Sequence, residues 1–127
     1  MIVVDASAAV AALLRNGSAR ESVAHEQLHA PHLIDAEVAQ TLRQLVAAGR
    51  FPARTGQHLV TEWSGLALVR SPVHPLLPRI WALRENVSAY DATYVALAEA
   101  LGCALLTADA RLARAPGSTC PVTVVSS

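Results

Sequence analysis

The stretch SAYDATYVALAEALGCALLTAD, from Ser88 to Asp109, constrains the fold of this chain more than any other. Ala89 to Leu101 is almost wholly apolar, as expected for a helix that is buried on most sides, and Gly102 is suited to end it. The next four residues, ALLT, form the short apolar run typical of a parallel strand covered on both faces. Asp91 is therefore expected in the first turn of a buried helix, and Asp109 just past the end of a buried strand.

The rest of the chain alternates short apolar strands with helical segments. Further strands are predicted at Ile2 to Val4, Leu28 to Pro31, Leu66 to Val69 and Val122 to Val125. Helices are predicted at Ala6 to Leu14, Leu33 to Ala48, Pro52 to Ser64 and Pro75 to Arg84, the first of them stopping at Asn16 and Gly17. This alternation predicts an α/β domain with a mainly parallel sheet, in which strand ends and helix starts share one ligand-binding edge.

Composition limits the class of protein. The 127 residues are enough for one domain, 1–127, and too few for two. Hydrophobic residues make up 53%, which fits deep helix burial or a face kept for a partner. Ten arginines balance ten acids and lysine is absent, so bulk charge does not indicate nucleic-acid binding. Asp5 breaks the N-terminal apolar run, no apolar stretch is long enough to span a bilayer, and the two cysteines lack a ligand spacing, so we expect a cytoplasmic protein.

Four acids are predicted to meet at the ligand-binding edge. Asp5 and Asp109 follow strands, while Glu37 and Asp91 lie in the opening turns of helices. Taken singly, each could be an ordinary helix cap or a helix residue favoured by the dipole. Together, without a neighbouring cation, they would raise one another's pKa unless a divalent metal neutralised them. A ligand set made only of oxygen atoms suits Mg²⁺ or Mn²⁺.

Other acidic α/β sites fit the same residues less well. Phosphatases of the haloacid-dehalogenase type need a second aspartate two residues after the first, where this chain has Ser7. Response-regulator receivers need a lysine beside the acids, and no phosphate-binding glycine loop occurs. Metal-assisted phosphodiester chemistry is the hypothesis that remains.

Three segments of the chain resemble a known family. VVDASAAVAALL, LIDAEVAQTLRQL and YDATYVALAEALGCALLTADARLA, together with the length, are similar to PIN-domain ribonucleases of the VapC toxin type. The resemblance covers essentially the whole chain and implies a PIN-like three-layer α/β fold, with a mainly parallel sheet of about five strands flanked by helices. It also implies an acidic site made of Asp5, Glu37, Asp91 and Asp109. Two small polar residues, Ser7 and Thr107, would support this site.

The same resemblance implies a function. The protein would be a Mg²⁺-dependent endoribonuclease, with Mn²⁺ as a possible substitute, and the toxin of a type II toxin-antitoxin pair. Its partners would be a VapB-like antitoxin, the RNA substrate and commonly a second copy of itself. Asp5, Asp91 and Asp109 would hold the metal, and Glu37 would complete the cluster or orient the attacking water. Asp35, two residues before Glu37, could belong to the site or merely complement the helix dipole.

Two alternatives stay open at this point. One is a PIN-like binding module whose acidic site no longer turns over and which acts through a partner complex. The other is a structure-specific DNA nuclease, for whose substrate-guiding segments the chain has no room. Trp63 and Trp81 lie within helical apolar patterns and are predicted to be core or interface residues, and the five histidines to lie at the surface or behind the site. RNA affinity would have to come from arginines, of which Arg43, Arg50 and Arg54 are candidates without an assigned role.

Overall fold

The strands of the chain form one parallel sheet. The computed structural model describes residues 1–15 and 17–126. Its strands are β1 Ile2–Val4, β2 Leu28–Pro31, β3 Val69–Ser71, β4 Ala104–Thr107 and β5 Val122–Val124. They lie in the order β3-β2-β1-β4-β5, and every neighbouring pair is parallel. The predicted parallel sheet of about five strands is therefore confirmed.

Helices connect the strands and cover the sheet. They are α1 Ala6–Leu13, α2 Ala19–Val23, α3 Leu33–Ala47, α4 Ala53–Ser64, α5 Leu77–Ala82, α6 Ala89–Leu101 and α7 Ala110–Arg114, with a short 3-10 helix at His74–Leu76. α6 packs on β1, β2 and β4, while α1 packs on β4 and against α2, α3 and α4. Val3 and Val4 point to opposite faces of the sheet and both are buried, so both faces are covered. No helix in the described ranges is long and apolar enough to cross a membrane.

The helix α6 has the bounds that its apolar sequence predicts. Its centre, Ala92 to Ala98, is buried without interruption, and each large apolar side chain buried there contributes about 1.5–3 kcal/mol to folding. Ser88 caps the helix by accepting a hydrogen bond from the backbone N–H of Asp91. Gly102 ends it in the left-handed conformation, with φ 65°, which a side chain would make unfavourable. The chain then enters β4, which places Asp91 and the end of β4 at the same edge of the sheet.

Some predicted boundaries were wrong. β3 was expected at Leu66 to Val69 but begins at Val69, because pairing with His29 in β2 starts there. Leu66 is exposed and precedes the strand. α1 ends at Leu13, and of its predicted stop Asn16 lies outside the described residues.

Three side chains of interest differ in their burial. Trp63 is buried as predicted, but Trp81 is 68% exposed, with the Arg84 guanidinium 4.8 Å from the centre of its ring. His29 is buried, and neither ring nitrogen has a hydrogen-bond partner among the described residues. The exposure of Trp81 excludes the core from its two predicted places and leaves the interface, and the burial of His29 excludes the surface.

Candidate active site

Asp5 lies where β1 ends, beside the end of β4. The strand register pairs Val4 with Leu106, and the Asp5 N–H continues the ladder by donating to the Leu106 carbonyl at 3.0 Å. This register brings Thr107, the last residue of β4, next to the Asp5 carboxylate. Asp5 also caps α1, because its Oδ1 accepts a hydrogen bond of 2.9 Å from the Ala8 N–H.

Two hydroxyl groups fix the Asp5 carboxylate. Ser7 donates to Oδ1 at 2.6 Å and Thr107 donates to Oδ2 at 2.5 Å. The same hydroxyl oxygens accept hydrogen bonds from the backbone N–H groups of Ala108 and Asp109, at 2.9 and 3.0 Å. Asp5 is only 5% exposed, and burial raises the pKa of its carboxyl although these hydrogen bonds oppose the rise. Ser7 and Thr107 thus link the buried acid to the start of the loop that carries Asp109.

Glu37 reaches the same edge from α3, where it lies one turn inside the helix. Its Oε1 accepts a hydrogen bond of 2.5 Å from the hydroxyl of Tyr94 on α6. Burial raises the pKa of Glu37, and the negative charges of Asp91 and Asp5 raise it further, while the Tyr94 hydrogen bond lowers it. The buried Tyr94 hydroxyl has a pKa far above its usual range and therefore stays a donor.

Asp91 completes this group from the first turn of α6. Burial is the main cause that raises the pKa of its carboxyl, followed by the charges of Asp5 and Asp109. Arg111 and the Ser88 hydroxyl lower it in part. Asp5 therefore lies close enough to Glu37 and Asp91 for its negative charge to disfavour the ionisation of both.

Asp109 is the exception among the four acids. It caps α7, and its carboxylate accepts three hydrogen bonds from Arg111, from the backbone N–H at 3.0 Å, Nε at 3.1 Å and Nη2 at 3.0 Å. These contacts hold the pKa of Asp109 below its usual range. The sequence prediction did not include this ion pair, although an arginine two residues after a helix-capping acid is a signal that could have indicated it.

The four acids share one edge without forming a ligand set as they stand. Within residues 1–15 and 17–126, no three acidic, histidine or cysteine side chains are grouped so that they could hold one metal ion. Both oxygens of Asp109 are occupied by Arg111. The donor chemistry nevertheless fits a hard divalent cation, because the acids supply only oxygen atoms and three of them have pKa values raised by burial and by the charge of a neighbouring acid.

Asp35, which the sequence left open, lies outside this group. Its Oδ1 accepts hydrogen bonds from Trp63 Nε1 at 2.8 Å and Arg70 Nη2 at 2.9 Å, and its Oδ2 accepts one from Arg70 Nε at 2.7 Å. Arg70 is the main cause that lowers the pKa of Asp35. These contacts tie α3 to α4 and β3, so Asp35 is a structural residue at the other side of the helix start.

Tyr94 is the second residue that sequence reasoning missed. It lies three positions after Asp91, on the same face of α6, and this spacing directs both side chains towards the same edge. The buried ring with one hydroxyl at the acids is a sign of a positioned donor rather than of core packing alone.

The PIN domain family model matches residues 2–118. Ribonuclease VapC9 of Mycobacterium tuberculosis is 56% identical over 125 residues, which cover 98% of each chain.

Two solved structures share the fold. The crystal structure of PAE2754 from Pyrobaculum aerophilum has a TM-score of 0.71 and 25% identity, over 95% of this chain and 81% of that chain. The structure of Mycobacterium tuberculosis VapC20, described as a sarcin-ricin loop cleaving toxin, has a TM-score of 0.69 and 18% identity, over 90% and 94%. Because the family model spans most of the chain and VapC9 matches nearly its whole length, the chain belongs to the PIN-domain family, among the ribonucleases of the VapC type.

Proposed function

We propose that this protein is a single-domain endoribonuclease toxin that hydrolyses RNA phosphodiester bonds at Asp5, Glu37, Asp91 and Asp109, with Mg²⁺ or Mn²⁺. The observation that supports this site most is that four acids from four different elements converge on one sheet edge. Three of them, Asp5, Glu37 and Asp91, have raised pKa values because of burial and the charge of at least one other acid of the four. Such a cluster is unfavourable without a cation, and perturbed carboxyl groups of this kind are typical of catalytic sites.

Asp5, Asp91 and Asp109 are the proposed metal ligands. A bound divalent cation would neutralise these acids, lower the pKa of the attacking water and stabilise the charge that develops on the phosphate. Asp5 is held in place by the Ser7 and Thr107 hydroxyls and by the Ala8 N–H, so its carboxylate needs little reorganisation to serve as a ligand.

Glu37 is proposed to orient the attacking water. Tyr94 occupies its Oε1, and Oε2 makes no hydrogen bond within the described residues, so Oε2 remains able to accept one from a water molecule. The raised pKa of Glu37 lies closer to neutral pH. A proton acceptor is most effective when its pKa is near the pH at which the reaction runs.

Asp109 has to leave Arg111 to join the ligands. The Arg111 side chain is 84% exposed, so the ion pair is screened by water and costs little to break. The released guanidinium would then be able to contact an RNA phosphate, which an otherwise acidic site would repel. This exchange would account for the incomplete ligand set among the described residues.

A VapB-like antitoxin and a second copy of the chain are the proposed protein partners. An apolar groove of about 390 Å³ opens between α1, α2 and α4, and its wall includes Leu13, Val23, Leu28, Trp63 and Leu66. On α5, Leu77 and Trp81 are exposed. Apolar surfaces of this kind commonly mark protein interfaces, which supports a role in both assemblies. An RNA substrate would place the activity in the cytoplasm.

Cleavage of RNA by the purified chain tests the proposed function. A total bacterial RNA pool and a synthetic sarcin-ricin loop hairpin are incubated with Mg²⁺ or Mn²⁺, with EDTA and with flap DNA as a further substrate. Discrete RNA fragments are expected that disappear in EDTA and with Asp5→Asn, but persist with Glu85→Gln, which removes an exposed acid outside the site. Cleavage of flap DNA alone would instead support the DNA nuclease.

Calorimetry with Mg²⁺ and Mn²⁺ distinguishes the remaining alternative. If no RNA is cleaved with either metal and the wild-type chain binds neither ion, the catalytic proposal is wrong. The protein would then be the PIN-like binding module that acts through its partner complex.

A further inference from the structure

A cleft of about 440 Å³ opens beside Glu37, between α3 and the start of α6. One of its walls is formed by four polar residues of α3 at positions i, i+3, i+4 and i+7, which share one helix face: Glu37, Gln40, Thr41 and Gln44. Ala6, Leu33, Ala36 and Tyr90 complete the lining. The volume lies within the roughly 300–1,000 Å³ of ligand clefts, and the proposed reaction uses only Glu37 from this wall.

The polar groups of this cleft are neutral, apart from Glu37 at the end next to the acids. No arginine or histidine is among its lining residues. The side chains of Gln40, Thr41 and Gln44 make no hydrogen bond within residues 1–15 and 17–126, and both glutamines are exposed. The cleft therefore offers donors and acceptors without a cation, which suits an uncharged ligand with polar edges better than a phosphate.

Tyr90 adds an aromatic surface to the rim of the cleft. It is the second residue of α6, directly before Asp91, and it is 62% exposed. By contrast, Tyr94 of the same helix is buried at 2%. Unpaired bases of RNA stack on exposed aromatic side chains and are read by hydrogen bonds to their edges, so Tyr90 and the two amides match what a nucleobase requires.

We propose that this cleft binds the unpaired base of a nucleotide next to the cleaved bond. Tyr90 stacks on the base, and the amides of Gln40 and Gln44 bind its edge, while the adjoining phosphate lies at the acids. Glu37 belongs to both the cleft and the acidic site, so one nucleotide spans the two. The inference rests on the proposed function, since the base enters the cleft only on an RNA held at the acids.

The test compares Gln40→Ala, Gln44→Ala and Tyr90→Ala with Gln57→Ala, a matched change of an exposed glutamine on α4. The substrates are short single-stranded RNAs in which each nucleotide beside the cleaved bond is varied in turn. The glutamine variants are expected to reduce the preference for one nucleotide at one position by about tenfold, as the loss of an edge contact does. Tyr90→Ala is expected to raise KM, and Tyr90→Phe to recover it because the ring is kept.

Binding supplies a readout that does not depend on turnover. RNA with 2-aminopurine at the varied position is titrated in Mg²⁺ with the Glu37→Gln chain, which keeps the three proposed metal ligands but lacks the carboxylate that orients water. Stacking on Tyr90 is expected to quench the fluorescence with Tyr90 or Tyr90→Phe but not with Tyr90→Ala. If wild type cleaves RNA, but the nucleotide preference and the quenching are unchanged in every variant, the cleft proposal is overturned and the proposed function stays intact. If wild type cleaves no RNA, the proposed function fails, and unchanged quenching would overturn the cleft independently.

The same variants show whether a protein covers the cleft instead. Light scattering gives their oligomeric state, and circular dichroism confirms that they are folded. A change in oligomeric state without any change in nucleotide preference would assign the cleft to contact between copies and overturn the base-binding proposal.

Discussion

Tyr94 donates its hydroxyl to Glu37 from a buried position on α6. Tyr94→Phe is expected to lower kcat about tenfold with little change in KM, because the water-orienting carboxylate loses its fixed orientation. The hydrogen bond lowers the pKa of Glu37, so its loss lets that pKa rise further and moves the acidic limb of the pH-rate profile to higher pH. Steady-state kinetics over a pH series measure both effects, and a loss of stability alone, with kcat and the limb unchanged, would show that Tyr94 only packs.

Arg111 is expected to compete with the metal for Asp109. Arg111→Gln removes the two guanidinium contacts and should tighten Mg²⁺ binding about two- to fivefold, the size typical of a lost exposed ion pair. Calorimetry measures the affinity, and Arg114→Gln, on the same short helix, is the control because Arg114 is the last and smallest of the causes that shift the pKa of Asp109. Equal affinity in both variants and wild type would mean that Asp109 is not a ligand.

The sequence predicted the sheet edge at which the acids lie, but not the side chains that contact them there. Each acid follows a strand or begins a helix, and the topology of a parallel sheet brings such positions to one edge whatever the side-chain details are. Tyr94 and Glu37 are 57 positions apart, and their contact depends on how closely α3 and α6 approach. Arg111 depends on a rotamer of an exposed side chain, which no pattern of hydrophobicity specifies.

Elements with strong internal signals were predicted more accurately than those set by pairing. α6 was predicted with its observed bounds, because its cap, its apolar run and Gly102 all act locally. β3 was displaced by three residues at its start, since an edge strand begins where it meets β2 and not where its own apolar run begins. α7 was missed because five residues give no helical period.

Glu99 joins α6 to two other segments of the fold. It accepts hydrogen bonds from Arg79 on α5, at 2.7 and 3.1 Å, and from the N–H and hydroxyl of Thr119 before β5, at 2.7 and 2.8 Å. These contacts lower the pKa of Glu99 from 4.5 to about 2. A carboxyl group whose pKa is lowered by folding stabilises the folded state at pH values above the pKa of the unfolded chain. For Glu99 this stability is lost as the pH falls from 4.5 towards about 2.

Glu99→Gln is therefore expected to lower the free energy of unfolding by about 1–2 kcal/mol near neutral pH, since Arg79 is partly screened by water. Urea unfolding at a series of pH values measures the difference from wild type, which should shrink as the solution becomes acidic. Glu85→Gln is the matched control. A difference that stays constant with pH would show that the ion pair does not contribute.

At the scale of the whole molecule, the fold places its least favourable charges at one edge. Asp5, Glu37 and Asp91 are anchored by elements whose other residues form the core, so the acids cannot move apart without unpacking α1, α3 or α6. Natural sites often keep such repulsion because function requires it, and the rest of the fold compensates. The stability of the folded protein should therefore depend on whether a cation neutralises the acids at this edge.

The pH and metal dependence of unfolding follow from these raised pKa values. When folding raises the pKa of a carboxyl group, as for Asp5 and Asp91, the folded state loses stability as the pH rises from the unfolded pKa towards the raised one. This loss persists at neutral pH. Asp5→Asn should remove part of this loss and raise the melting temperature of the metal-free protein by about 4 °C, equivalent to about 1 kcal/mol. Mg²⁺ should stabilise wild type by mass action and Asp5→Asn much less. Calorimetric melting with EDTA and with Mg²⁺ measures all four states, and equal shifts by Mg²⁺ in both chains would place its binding away from Asp5.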